Sequence, residues 1–483
     1  MVDSGDAAHP KLVHAVAMTA TTASTALRPR RQPWKAGTTG RAHVGEHAVV
    51  LGGSLAGLAV AVVLAERFDT VTIIDRDVLP PVGEHRNGVP QGRHTHLLLP
   101  GGVRALAELL PGVVDDLESH GAQIIDAPEV RFYLAGGRLA LSDPSLSICG
   151  ATRPLLEGVV RHRVRGLPNV CTVERSRADR LVADPDRSQV TGVRVRSPAS
   201  SSDDGIVDAT LVVDATGRRS RSPRWLAELG YPAPDEEGLH VGVHYTTRVF
   251  RRDPADLGGC RQVQVAIPPG GRHGGVAVAV EDDRWLVTLV GILGERPPAA
   301  LEEFIGHTGA LWRDDLHAIV ARAEPMGEAA IGAFPAYLRR RYDRLREFPG
   351  RYVVTGDAVC SLNPVYAQGM SVAIREAQAL GEVLDRHGLD RVGQRFFRRA
   401  RPVVDSAWQI ATGADLGEPA VEGRRTAGWR LLNWYVNRLL TVAHRDPLVA
   451  DAFLRVNTMV APPQHVMRPR IASRVLRGGG RSA

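Results

Sequence analysis

Residues 47–77, HAVVLGGSLAGLAVAVVLAERFDTVTIIDRD, constrain this chain more than any other stretch. Ala48 to Leu51 is a short apolar run that ends in glycine, as a buried parallel strand does. Leu55 to Glu66 has helical apolar spacing, and Val71 to Ile74 is a second β-branched run closed by Asp75. The segment reads strand–turn–helix–strand, with its acid about 20 positions after the turn, where a carboxylate binds the ribose of a dinucleotide. Gly52 permits the tight turn and Gly57 lets the helix pack against the strand, with Gly53, Leu55 and Ala56 completing the loop. The helix N-terminus then offers free N–H groups and positive dipole to a pyrophosphate. One position departs from GxGxxG: Ser54 stands where the third residue is normally glycine, and its hydroxyl is itself a candidate phosphate donor. Two rivals compete. The uncharged run from Ala48 to Ala65 reaches the lower limit for a membrane span, but that leaves Asp75, Arg76 and Asp77 unexplained. GGSLA also resembles a nucleophile elbow, yet its second small residue is Ala56 and that motif needs no acid after the next strand.

Composition narrows the chemistry. At 483 residues the chain is long enough for about three domain-sized units. Its 44% hydrophobic and 23% charged residues suit a folded enzyme, and 60 basic against 53 acidic residues is too mild an excess to imply nucleic acid. Only Lys11 and Lys35 are lysines, so the folded body can supply neither a Schiff-base lysine nor a Walker-type phosphate lysine. Cys149, Cys171, Cys260 and Cys360 are scattered, which argues against structural zinc and a disulfide framework and suits a reducing cytoplasm. Asp3 and Asp6 stand where a secretory signal would be basic; residues 1–44 read as a disordered extension in which Met18 is an alternative start.

Two later strands end in comparable chemistry. LVVDATG (211–217) closes on Asp214 and turns at Gly217. RYVVTGDAVCSLNPVYAQGMS (351–371) delivers Gly356 and Asp357 to a strand's carboxyl end, where open α/β sheets bind ligands. Pro364 and the Gln368-Gly369 turn then lead into a helix.

Together the three motifs resemble the flavoprotein monooxygenases of the para-hydroxybenzoate hydroxylase type, over about residues 46–385. Within that superfamily HRNGVPQGRHTHLLLPGGVRALAELLPG (85–112) and GDAVCSLNPVYAQGM are most similar to bacterial polyketide (polyether-type) flavin epoxidases. The resemblance implies FAD, reduced by NADPH or NADH directly or through a separate flavin reductase. It implies transfer of one oxygen atom of O2, by a flavin C4a-hydroperoxide, to a hydrophobic small molecule. Epoxidation of a polyketide-like alkene is the leading reaction; phenol hydroxylation and reduction of a prenyl double bond are the alternatives. By the same resemblance Asp75 would hold the adenosine ribose with Arg76 beside the adenine, and Asp357 would bind ribitol or pyrophosphate. Gly369 and Met370 would offer N–H groups to the isoalloxazine edge, while Arg153 and Arg93 would lie near the flavin. No catalytic residue is assigned. The family's middle motif usually reads aspartate-glycine, so Ala215-Thr216 after Asp214 leaves the route of reducing equivalents open.

The implied architecture is α/β: a Rossmann-like FAD-binding domain (45–125, 150–222 and 350–385), an inserted β-sheet substrate domain (126–149 and 223–349), and a C-terminal helical region with a basic tail (386–483). Residues 239–250, 261–268 and 274–292 read as strands with a hairpin turn at Asp282-Asp283, joined by 130–141 with its Gly136-Gly137 turn. The Ser-rich stretch 197–205 reads as a hairpin loop. His94 and His96 alternate as on a strand, with a structural or flavin-adjacent role preferred to a metal site. His240 and His244 suit a cavity wall or a solvated face equally. Trp408, Trp429, Trp434 and Tyr435 read as core of a helical cap or dimer surface, and 468–481 as a basic tail, solvated in preference to touching acidic membrane lipid or a carrier protein.

Overall fold

A computed structural model describes residues 42–197 and 205–478. Five parallel strands form the first sheet, in the order Tyr352–Val354, Leu211–Asp214, Gly45–Leu51, Phe68–Ile74 and Val170–Val173. Strand Gly45–Leu51 sits in the middle, and Val49 and Val50 are wholly buried. The helix after it, α1 (Leu55–Ala65), is buried almost all round. Such a helix belongs in a core or a membrane. Here the sheet covers one side and a long later helix the other, which accounts for the apolar run from Ala48 to Ala65. α2 (Arg153–Arg165) precedes strand Val170–Val173, and α3 (Gly369–His387) is the helix that packs on α1. At that contact a Cβ on Gly381 would stand 3.1 Å from a Val63 methyl.

A second sheet has seven strands, in the order Pro325–Ala336, His240–Arg251, Arg284–Gly291, His273–Val280, Gln262–Val265, Val130–Leu134 and Gly137–Arg138. Val280 pairs with Arg284, so Glu281, Asp282 and Asp283 form a three-residue hairpin loop in which Asp282 and Asp283 take the left-handed φ values of 60° and 46°. The expected strands are present, though the third-from-edge strand stops at Val265. The 1–44 extension, the 197–205 loop and the tail beyond Gly478 fall wholly or largely outside the described residues.

Four helices close the chain: α4 (Val392–Asp415), α5 (Ala427–Ala443), α6 (Pro447–Asn457) and α7 (Pro469–Gly478). α5, α6 and α7 bury Tyr435, Leu439, Val449 and Val475 against Val130, Phe132, Ile148 and Val278 of the sheet layer. This corrects the solvated-tail expectation, because Ile471 and Val475 anchor α7 in that core. Among the described residues no helix is long and apolar enough to cross a membrane.

Candidate functional site

The parallel sheet's carboxyl ends, one face of the seven-stranded sheet and the C-terminal helices enclose a cavity of about 1420 Å³. Gly52, Ser54, Leu55, Ala56, Asp75 and Arg76 line one end. Gly53 and Gly57 lie behind them and set the loop's shape. Gly52 has φ of 101°, and a Cβ on it would meet the Ala215 carbonyl at 2.7 Å. Gly53 N–H donates to Asp75 Oδ2 at 2.6 Å, tying the turn to the end of the second strand.

A buried ion network backs this loop. Arg86 Nη1 reaches Asp75 at 3.1 Å and Asp77 at 3.3 Å, and its Nη2 reaches Glu157 at 2.8 Å. Arg153, at the first position of α2, donates to Glu157 from Nε (3.1 Å) and Nη2 (3.0 Å). Burial opposes ionisation of Glu157, but Arg153, Arg86 and the Ser54 hydroxyl outweigh it and hold the carboxyl below its ordinary range. Ser54 Oγ donates to Glu157 at 2.7 Å and accepts from Arg153 at 3.0 Å. That corrects the reading of this hydroxyl as a phosphate donor. Arg86 and Glu157 escaped the sequence reading. Glu157 had a signal, since it stands one helical turn after Arg153.

The facing wall comes from the third motif. Gly356 (φ 65°) approaches Ala56 so closely that the two Cβ positions would be 3.0 Å apart. Its N–H turns away from the cavity to Glu376 Oε2 at 2.6 Å, and the Thr355 hydroxyl donates to the same oxygen at 2.9 Å. Burial lifts the Glu376 carboxyl to about 8 despite these donors. Asp357, Gly369 and Met370 line the cavity. The Asp357 carboxylate opens on that enclosed space and accepts no hydrogen bond from any described residue. Enclosure raises its pKa, with Arg153 and then Arg218 opposing. Asp214 is wholly buried; its oxygens take Thr216 N–H at 2.8 Å and the Thr216 (2.6 Å), Ser220 (2.6 Å) and Ser222 hydroxyls. The middle-motif acid therefore shapes its own loop, while Ala215, Thr216 and Gly217 face the cavity.

Beyond this polar end the lining turns apolar, with Phe132, Ile148, Val276, Trp408, Trp429 and Phe453 among it. Trp408 packs on the core as expected and also lines the cavity, and Trp429 lines it too. His94 and His96 also line it, from an irregular segment and not a strand. Burial pushes the His94 ring down to about 4; Nδ1 pairs with Thr247 Oγ1 at 2.8 Å, and Tyr245 packs edge-on at 4.5 Å. His96 is lowered to about 4 by burial and then by Arg153. His240 is exposed and His244 half-buried, and neither lines the cavity, whereas Val241 and Tyr245 of the same strand do. Arg93 is exposed outside the lining, which corrects its expected place.

A second polar cluster lies across the cavity. Asp415, at the end of α4, accepts from Tyr337 OH at 2.5 Å, Tyr366 OH at 2.6 Å and Asn363 Nδ2 at 3.1 Å. Burial raises the Asp415 carboxyl above its ordinary range, against those three donors. Asn363, Tyr366 and Asp415 all line the cavity.

These features define an α/β protein with the fold of the FAD-binding monooxygenases. The structure of PqsL from Pseudomonas aeruginosa, described as a probable FAD-dependent monooxygenase, superposes with a TM-score of 0.62 at 17% identity, covering 78% of this chain and 97% of that one. p-Nitrophenol 4-monooxygenase PnpA from Pseudomonas putida DLL-E4 gives 0.59 at 18% identity, covering 86% and 99%. No family model matches the chain. In sequence, Protein Rv3254 of Mycobacterium tuberculosis is 32% identical over 427 residues, 85% of this chain and 89% of that protein. The chain belongs to the family of Protein Rv3254.

Proposed function

We propose that this chain is an FAD-dependent monooxygenase that inserts one oxygen atom of O2 into a hydrophobic small molecule. One observation carries the reading: Gly52, Asp75 and Asp357, from three separate strand ends, surround one cavity of about 1420 Å³. Single-ligand pockets usually span about 300–1,000 Å³, so this volume suits a cofactor with a substrate beside it. The residues fit FAD. The close Gly52–Gly57 approach leaves the α1 N-terminus open to a pyrophosphate, and Asp357 has unfilled acceptors where a polyol would lie. Asp75 and Arg76 would hold the adenosine end, Gly369 and Met370 the ring edge, and Arg153 the space between.

When bound and reduced, FAD supplies the electrophilic oxygen atom derived from O2. The chain's own residues orient the substrate and exclude water from the apolar arm. NADPH or NADH, directly or through a flavin reductase, would provide the electrons. The apolar lining favours epoxidation of an alkene in a polyketide-like substrate, which needs no protein base. The Asp415–Tyr366–Tyr337 cluster favours a second reading, phenol hydroxylation, because it places a proton acceptor in the same cavity. The test is to purify the chain, reduce its flavin and supply polyene and phenolic substrates under 18O2. One labelled oxygen in the product is expected. A chain that stays colourless with added FAD, or turns over without oxygen, overturns the reading.

A further inference from the structure

The C-terminal helices present an exposed face that the catalytic reading does not use. Leu431 (68% exposed) and Trp434 (51%) lie one turn apart on α5 and point outward, and Leu476 of α7 (54%) joins them. Hydrogen bonds weld these elements into one surface. Arg438 donates to Val475 O at 2.8 Å and Leu476 O at 2.6 Å while stacking on Trp434, and Tyr435 OH holds Val466 O at 2.7 Å. Exposed Leu432 and Met467 belong to both this face and the cavity lining, so the apolar arm ends at the patch.

Charge on this face is one-sided. Residues 423–478 contain ten arginines against two acids, Asp446 and Asp451, and Asp446 pairs with Arg474 of α7 at 2.6 Å. The whole chain, by contrast, has 60 basic and 53 acidic residues. Arg430, Arg468, Arg470 and Arg477 are exposed and make no ion pair with any described residue. Exposed Leu and Trp rimmed by unpaired arginine is the surface chemistry that lies in an anionic bilayer interface. A second copy of the chain is a poorer occupant, because a twofold contact would set arginines against arginines.

We propose that the face formed by α5, the turn Pro463–Met467 and α7 docks on an anionic phospholipid surface. A membrane-dissolved apolar substrate would then reach the cavity along its apolar arm. The docking stands independently of the flavin; only the substrate statement rests on the oxygenase reading.

Flotation of the full-length protein with vesicles tests it. Vesicles of phosphatidylcholine containing about 30% phosphatidylglycerol should carry the protein, and pure phosphatidylcholine vesicles should not. High salt should release it, since exposed charges are screened. The Leu431→Ser/Trp434→Ser and Arg430→Glu/Arg470→Glu variants should each partition at least about tenfold more weakly, with unchanged Tm and flavin content. Equal flotation on neutral vesicles, or unchanged flotation by both variants, overturns the proposal. So does a parent dimer in ultracentrifugation that Leu431→Ser/Trp434→Ser converts to monomer, for then a second copy covers the face. A chain that floats without flavin sinks the oxygenase reading alone; one that holds flavin but ignores anionic vesicles sinks docking alone.

Discussion

A Cβ built on Gly57 would lie 1.8 Å from the carbonyl oxygen of Gly52. No side chain fits there without moving α1 away from strand Gly45–Leu51, and that movement withdraws the helix N-terminus from the cavity. Gly57→Val should therefore abolish flavin retention, read as flavin absorbance per chain. Overpacking also destabilises, typically by about 1–3 kcal/mol. A variant that kept its full flavin would show that this turn does not hold the dinucleotide.

Asp357 separates binding from folding. Its carboxylate opens on the cavity, is raised in pKa and has no hydrogen-bond donor among the described residues. Asp357→Ala should weaken FAD retention about tenfold or more while leaving the apo Tm close to the parent's, because the carboxylate is solvent-accessible and ties down no described residue by a hydrogen bond. Equal losses of Tm and flavin would assign the residue a structural role. Arg93→Ala, outside the cavity lining, is the matching control and should change neither.

Glu157 carries the opposite sign. Arg86, Arg153 and Arg161 all converge on it, at 2.8, 3.0 and 3.5 Å. Glu157→Ala strands buried guanidinium groups, and breaking one side of such a pair costs about 3–5 kcal/mol. Chemical denaturation should show that loss, and Glu157→Gln should recover part of it through the Ser54 and Arg153 hydrogen bonds.

The Glu376 carboxyl sets a pH window. Burial raises it from an ordinary 4.5 to about 8 in the folded state. The folded chain thus binds this proton more tightly than the unfolded one. The resulting stability is fully present below about pH 4.5 and is lost as pH rises through about 8. Glu376→Gln keeps acceptors for Gly356 N–H and the Thr355 hydroxyl but cannot ionise. Its Tm advantage over the parent should grow between pH 4.5 and 8, and a constant difference across that window would contradict the assignment.

Much of the glycine-and-carboxylate end of the cavity was legible because a backbone requirement leaves a local mark. The turn at Gly52 and the acid at Asp75 are fixed by spacing within one strand–helix–strand unit, and Asp357 follows its own strand. Side chains that meet through distant pairings leave no such mark. Arg86 reaches Glu157 across 71 positions, and Tyr337 reaches Asp415 across 78. Ser54 was visible as a departure from GxGxxG, but its partner was not. Trp408 and Trp429 stand on separate helices, and only the docking of α4 and α5 over the sheet brings both to the cavity wall.

The Asp415 cluster can decide between the two oxygenation chemistries. Its carboxyl accepts from Tyr337, Tyr366 and Asn363 and is raised by burial, so it can take a proton from a bound hydroxyl through Tyr366. Attack by a phenol is faster once its proton is lost, and a placed base contributes about 10²–10⁴-fold. Alkene epoxidation transfers no such proton. Asp415→Asn and Tyr366→Phe should therefore slow phenol hydroxylation by at least about 10²-fold and remove its dependence on the ionisation of this carboxyl. The same variants should leave epoxidation within a few-fold of the parent, apart from changes in KM. Parallel losses on both substrate classes, with lowered Tm, would make the cluster a clamp that pins α4 to the Asn363–Tyr366 loop.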